Sequence, residues 1–234
     1  ICLFSQALSK HRNEYPKSNK PILMLMPERR GDGMPAGSGY VRVLLPYLHS
    51  IVQRQWKVIE LKDHKLPEPG TAHSIIIQRQ AGELTIEELT LWLDRWRAAG
   101  GKLIYEIDDD LLDAKGLTQR GFKSDTALLA DKVCWLATNA DQVIVSTPDL
   151  KKVFDKYNKK ICVVPNRLDA ELWRIGKPKL TGKGIYQRKA GDPIRIGYIG
   201  THTHVEDLAM ITDALIRIEK EYGDKVEIEV IGGF

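Results

Sequence analysis

Residues 103–107, Leu103-Ile104-Tyr105-Glu106-Ile107, run straight into Asp108-Asp109-Asp110. A short apolar run that ends in a cluster of carboxylates reads as a buried strand delivering charge to one edge of a sheet. Outward from it the same form recurs. Ile22-Leu23-Met24-Leu25-Met26 is a continuous apolar run, as expected of a strand covered on both faces. Further strands are expected at 57–61, Ser74–Gln78, Gln142–Val145 and 160–164. Helices fall between them. Residues 40–55 read as one helix kinked at Pro46. Thr85 with Glu88 makes a capping box, Ile86, Leu89, Leu93 and Trp96 share a face, and Gly100-Gly101 ends the helix. Another helix is expected over 126–138, and Thr147-Pro148 opens the next. Parallel neighbours need crossovers, so strand–helix alternation predicts an α/β fold with a doubly wound, Rossmann-like parallel sheet.

The pattern then pauses and restarts. Arg174, Lys177, Lys179, Lys183, Arg188 and Lys189 face Asp192 alone in a Gly- and Pro-containing stretch. One reading is a solvated connector; the other is a patch facing an anionic substrate or membrane lipid. Beyond it, 194–199 reads as a strand, Leu208, Ile211, Leu215, Ile218 and Tyr222 as one helical face, and 226–231 as another strand. The expected organisation is an extension at 1–19, a first domain at 20–173, a basic linker at 174–192 and the opening of a second domain at 193–234. About 40 residues are too few to bury a core alone. The chain begins at Ile1 and stops after Gly232-Gly233-Phe234, so an excerpt of a longer protein is expected.

Composition narrows the class. Of 234 residues, 43% are hydrophobic and 28% charged, which excludes disordered, collagenous and coiled-coil chains. The net charge of +4 is concentrated in the linker, unlike the basic face of a nucleic-acid binder. No apolar run approaches the ~20 residues of a membrane span. Cys2, Cys134 and Cys162 form neither a metal spacing nor a disulfide framework, so a reducing, cytoplasmic setting is expected.

Ligands of open parallel sheets bind beyond the carboxyl ends of the strands. Gly31-Asp32-Gly33-Met34-Pro35-Ala36-Gly37-Ser38-Gly39 puts four glycines there, before a helix start that favours anions. The loop is longer than a dinucleotide fingerprint, yet Glu60 at the second strand's end keeps a nicotinamide reading open. For Asp108, Asp109 and Asp110 three roles compete: a metal-bound diphosphate site, a carboxylate that positions or deprotonates a sugar hydroxyl, or caps of the following turn. Arg79 stands at the third strand's mouth, where it could grip a hydroxyl or a carboxylate, Asp108 included. Asn166 sits where the chain leaves the sixth strand, and Gly200-Thr201-His202-Thr203-His204 precedes a second helix start. Two histidines without a third ligand nearby argue against zinc. No nucleophile elbow, Walker loop, C-x-x-C or H-E-x-x-H occurs.

Together, Gly37-Ser38-Gly39-Tyr40-Val41-Arg42, Tyr105 to Leu111, Val145-Ser146-Thr147-Pro148-Asp149-Leu150, Val164-Pro165-Asn166-Arg167-Leu168-Asp169 and Ile196 to Leu208 resemble the GT-B glycosyltransferases, in particular the retaining, glycogen-synthase-like branch that builds bacterial surface polysaccharides. The resemblance spans about residues 20–234. It implies two Rossmann-like lobes across a cleft, an acceptor held by the first and a nucleotide-sugar by the second, and no metal or other cofactor. It implies that Gly37, Ser38 and Gly39 approach the donor diphosphate and sugar, that Asp109 or Asp108 faces the transferred sugar, and that Gly200 and Thr201 line the phosphates. Arg79, Asp110 and Asn166 complete the expected binding set. Two departures stand out: Asn166-Arg167 replaces the relatives' Asn-Gly, and the downstream Glu-x7-Glu motif is absent, so the chain alone is expected to be inactive. The partners implied are a nucleotide diphosphate-sugar and a glycan acceptor, with no nucleic acid, at the cytoplasmic or inner membrane face. Two rivals remain: an NAD(P)-dependent oxidoreductase using Gly37, Gly39 and Glu60, and a non-catalytic nucleotide- or glycan-binding module.

Overall fold

The computed structural model describes residues 20–119, 125–167, 189–200 and 204–232. The chain divides into two units, residues 1–115 with 124–168, and residues 116–123 with 169–234. The expected extension, most of the basic linker, and Thr201 with His202 lie outside the described residues.

In the first unit, β1 (Ile22–Met26), β2 (Lys57–Glu60), β3 (Ser74–Gln78), β4 (Lys102–Ile107), β5 (Gln142–Val145) and β6 (Ile161–Val163) form one sheet in the order β2-β1-β3-β4-β5-β6. Every pairing is parallel. The order reverses between β1 and β3, and the crevice at their carboxyl ends is where such sheets bind ligands. All five residues of β3 are buried, which is why its sequence shows no alternation.

Register sorts the strand residues by face. Leu23, Leu25, Ile76, Ile104 and Ile144 form one core with Val43, Leu44 and Trp56, against which Tyr47, Val52 and Val58 pack. The opposite face presents Ile75, Ile77, Leu103, Tyr105, Ile107, Val143 and Val145, all fully buried.

The glycine loop leads into α1, a π-helical turn over Gly39–Leu44 that continues as an α-helix over Leu45–Tyr47. The expected single helix over 40–55 is therefore interrupted. Leu45 N–H reaches back to Tyr40 O, five residues away, and Pro46 has no N–H to continue the ladder. The chain restarts as α2 (Ser50–Gln55), with the His49 ring accepting from Ile51 N–H.

The remaining helices follow their signals. Thr85 and Glu88 form the reciprocal capping box of α3 (Ile86–Ala98). Gly100 adopts φ 83°, and a Cβ on Gly101 would meet the Trp96 indole at 2.4 Å, so both glycines are required. A short α4 (Ala114–Gln119) was not anticipated by periodicity. α5 (Thr126–Asn139) is capped by Asp125, and α6 (Pro148–Phe154) by Thr147. Both α3 and α5 pack against β4.

In the second unit, β7 (Ile194–Gly200) and β8 (Val226–Gly232) pair in parallel along seven residues each, joined by α7 (Val205–Tyr222). Leu208, Ile211, Leu215 and Ile218 form its half-buried stripe. Among residues 189–200 and 204–232 none is fully buried, as expected of a lone βαβ layer. No described helix is long and apolar enough to cross a membrane.

Candidate functional site

Four strand exits of the first unit converge on two arginines. Arg79 follows β3 directly. Its guanidinium meets Asp108 Oδ1 from Nε at 3.0 Å, Glu28 Oε1 from Nη1 at 3.2 Å, and Asp109 Oδ2 from Nη2. The repulsion among adjacent aspartates is thus offset by one cation shared with Glu28. Burial works against the Arg79 charge, but Asp108, Glu28 and Asp109 more than compensate, and its pKa is raised above the ordinary value. Asp109 remains 49% exposed at its side chain, against 13% for Asp108, so Asp109 is the more accessible carboxylate. Asp110 points elsewhere: its Oδ1 accepts from Leu112 N–H at 3.0 Å and closes the next turn.

The glycine loop is tied to the same cluster. Ser38 Oγ donates to Glu28 Oε2 at 2.5 Å, and Glu28 N–H donates to Gln78 Oε1 at 2.9 Å. A Cβ on Gly39 would lie 2.4 Å from the Glu28 carbonyl oxygen, so the helix start rests directly on the exit of β1. Gly37 has no atom within 4 Å of the equivalent position and faces open space. The two glycines do different jobs: one permits contact, the other leaves room.

Beneath α1 lies the second arginine. Arg42 Nε donates to Glu106 Oε1 at 2.7 Å, while Nη1 donates to Val164 O at 2.6 Å and Asn166 Oδ1 at 2.9 Å. Asn166 therefore fixes the exit of β6 to α1. The pair is almost sealed, with side-chain exposures of 4% and 1%. Burial pushes the Glu106 carboxyl up to about 7 against the pull of Arg42, and Asp108 adds to the rise. Gln78, its register partner on β3, lies close enough to favour the charged form. Yet Glu106 Oε2 and Gln78 Nε2 each lack a partner of hydrogen-bonding geometry.

Beside this constellation opens a cavity of about 380 Å³, lined by Glu28, Arg30, His64, Gln78, Gln80 and Glu83 among others. Its rim is strained: Arg79 and Ala81 both adopt φ 55°, a left-handed conformation that costs a non-glycine residue about 1–3 kcal/mol. Gly82 follows at φ 63°, and a Cβ there would strike the His64 ring at 2.6 Å. Lys132 Nζ holds the Gly82 carbonyl at 3.0 Å. Carboxylates, amides, an imidazole and a guanidinium line the cavity, a mixture suited to a ligand bearing many hydroxyls.

Glu60, the residue a nicotinamide ribose would need, has both oxygens occupied. Arg29 Nη2 and Lys62 Nζ each approach to 2.6 Å. Gly200 ends β7 in the second unit, and nearby His204 Nδ1 lies 2.7 Å from Asp207 Oδ2. Among the described residues, no group of three or more His, Cys, Asp or Glu side chains is arranged to hold a metal ion.

The structure thus gathers Asp108, Asp109, Arg79, Ser38 and Gly39 at one crevice and sets Asp110 and Asn166 to neighbouring structural bonds. Sequence reasoning passed over Glu28, Arg42, Gln78 and Glu106. The signals were present: Glu28 leaves the first strand, and Arg42 and Glu106 each stand alone within an apolar segment, where a charge needs a partner. Compared with known proteins, the chain matches no family model, and no curated protein was found to match it.

Proposed function

We propose that the protein is a glycosyltransferase of the GT-B type, transferring a sugar from a nucleotide diphosphate-sugar to a glycan acceptor with retention, and needing no metal. One observation carries the reading: Arg79 holds Glu28, Asp108 and Asp109 together at the β1/β3 crevice, next to the Ser38-Gly39 turn and a cavity lined by charged and amide side chains. In this reading Asp109, half exposed and oriented by Arg79, faces the transferred sugar. Asp108 and Glu28 keep the guanidinium in place. The open space over Gly37 admits the donor, and loop amides stabilise charge as it develops on the leaving diphosphate. A setting at the cytoplasmic or inner membrane face belongs to the same proposal.

The experiment is transfer and hydrolysis by the gene product across a panel of UDP-, GDP- and dTDP-sugars. Asp109→Asn is expected to lower turnover at least ~10-fold. Intact turnover in that variant would favour a binding module. Tight NADH binding without affinity for UDP or GDP would favour the oxidoreductase, a reading that the occupied Glu60 carboxylate weakens.

A further inference from the structure

A surface helix in water normally turns its polar residues outward, and α1 does not. It buries Val43 and Leu44 in the core beneath it, yet its outer side is apolar as well. Val41, Leu45 and Leu48 follow at intervals of four and three residues, one helical stripe, of which Val41 and Leu48 are exposed. Tyr40 stands exposed beside Val41, and Met34 in the glycine loop and Ile51 on α2 are each 59% exposed. Among the described residues of the first unit, the other large apolar side chains so exposed are Leu91, Leu128 and Val164. Single exposed residues of that kind are ordinary; five of them within residues 34–51 mark an interaction surface.

Charge selects the partner. Residues 33–59 contain no Asp or Glu, although the chain carries 31 of them in 234 residues. The cations of this surface are exposed. Arg54 lies three residues from Ile51 on the same side of α2, Lys57 follows, and Lys20 Nζ donates to the Gln53 carbonyl of α2 at 3.0 Å. Aliphatic side chains with a tyrosine among them, bordered by lysine and arginine and lacking carboxylates, match the boundary between acyl chains and anionic headgroups. We propose that the outer face of α1 and α2 docks on an anionic lipid bilayer surface. Val41, Leu48 and Ile51 enter the headgroup boundary, and Lys20, Arg54 and Lys57 meet lipid phosphates. Because α1 begins at the glycine turn, docking holds the crevice close to the lipid. The inference does not depend on what reaction the crevice serves.

Vesicle co-sedimentation tests it on the whole chain. Binding to vesicles containing phosphatidylglycerol should be at least about tenfold tighter than to pure phosphatidylcholine, and should weaken as salt is added. Ile51→Glu should lower it about tenfold or more, and Arg54→Gln about fivefold. Leu91→Glu, at an exposed site on α3, should leave it unchanged. Thermal midpoints check that each variant folds, and Arg54→Gln carries the test if Ile51→Glu does not. Equal binding to both vesicles, binding to neither, an unchanged Arg54→Gln, or an equal loss in Leu91→Glu would overturn the proposal. Lipid binding that survives Ile51→Glu would do the same, assigning the contact to the basic segment at 174–189. So would a dimer that Ile51→Glu dissociates, which would give this face to a second copy of the chain.

Discussion

Arg79 and Arg42 both hold carboxylates at the carboxyl ends of β3 and β4, the first at a rim open to water and the second on a floor sealed by α1. Arg79 serves three carboxylates, of which Asp109 is half exposed. Arg42 serves one buried carboxylate together with a carbonyl and an amide oxygen from Val164 and Asn166, residues at the exposed exit of β6. The chemistry is similar, and the dielectric surroundings differ. At the rim, water screens only the Asp109 pair, which is half exposed, while the Glu28 and Asp108 pairs are largely buried. On the floor, losing one partner strands a charge.

The largest separation between rim and floor should appear on deleting each guanidinium. Arg42→Ala is expected to cost about 3–5 kcal/mol in denaturant unfolding, because Glu106 is left buried and alone. Arg79→Ala should cost less, since Asp109 is half exposed and can hydrate, whereas Arg42→Ala strands a carboxylate that is 1% exposed. Equal costs would break the distinction.

The two glycines divide along the same line. Gly39→Ala pushes a methyl group into the Glu28 carbonyl and should destabilise by roughly 2–3 kcal/mol. Gly37→Ala meets nothing within 4 Å and should lie within about 0.5 kcal/mol of the parent. Thermal midpoints of the pair check this.

A pH series sharpens the contrast further. Folded Glu106 binds a proton up to about pH 7, whereas the unfolded chain releases it near the ordinary value of 4.5. Its contribution is therefore full below about pH 4.5 and is lost as pH rises to 7. Relative to Glu106→Gln, the wild-type chain should lose roughly 2 kcal/mol across that window, read from denaturant midpoints. Arg79 keeps its charge throughout and adds no such slope.

A small effect on stability is also expected at the rim carboxylate itself. Asp109→Asn should change stability by under about 1 kcal/mol, although the proposed sugar transfer falls at least ~10-fold. A large loss of stability would mean that Asp109 is structural.

Much of this architecture was legible in local signals. β3 and β5 fall at the expected Ser74–Gln78 and Gln142–Val145, and the Thr85–Glu88 box and the Thr147 cap form as read. Each depends on neighbours within a few residues. The split of the helix at 40–55 was only half legible, because Pro46 announced a disturbance but the π-turn before it depends on how α1 fits its seat.

The site was partly readable because strand ends can be located from the apolar runs that precede them. Asp108, Arg79 and Gly39 were found by that rule. Their partnership was not, since Arg79 reaches Glu28 across 51 residues and Arg42 reaches Asn166 across 124.

The sequence by itself therefore determined the strands, their caps and the crowding of charge and glycine at one end of the sheet, because periodicity and capping are short-range effects. Only the tertiary structure decided which charge meets which. A fully buried parallel strand has no alternation to reveal its faces, so strand order and register had to place Glu106 beneath α1 and Asp109 at the open rim.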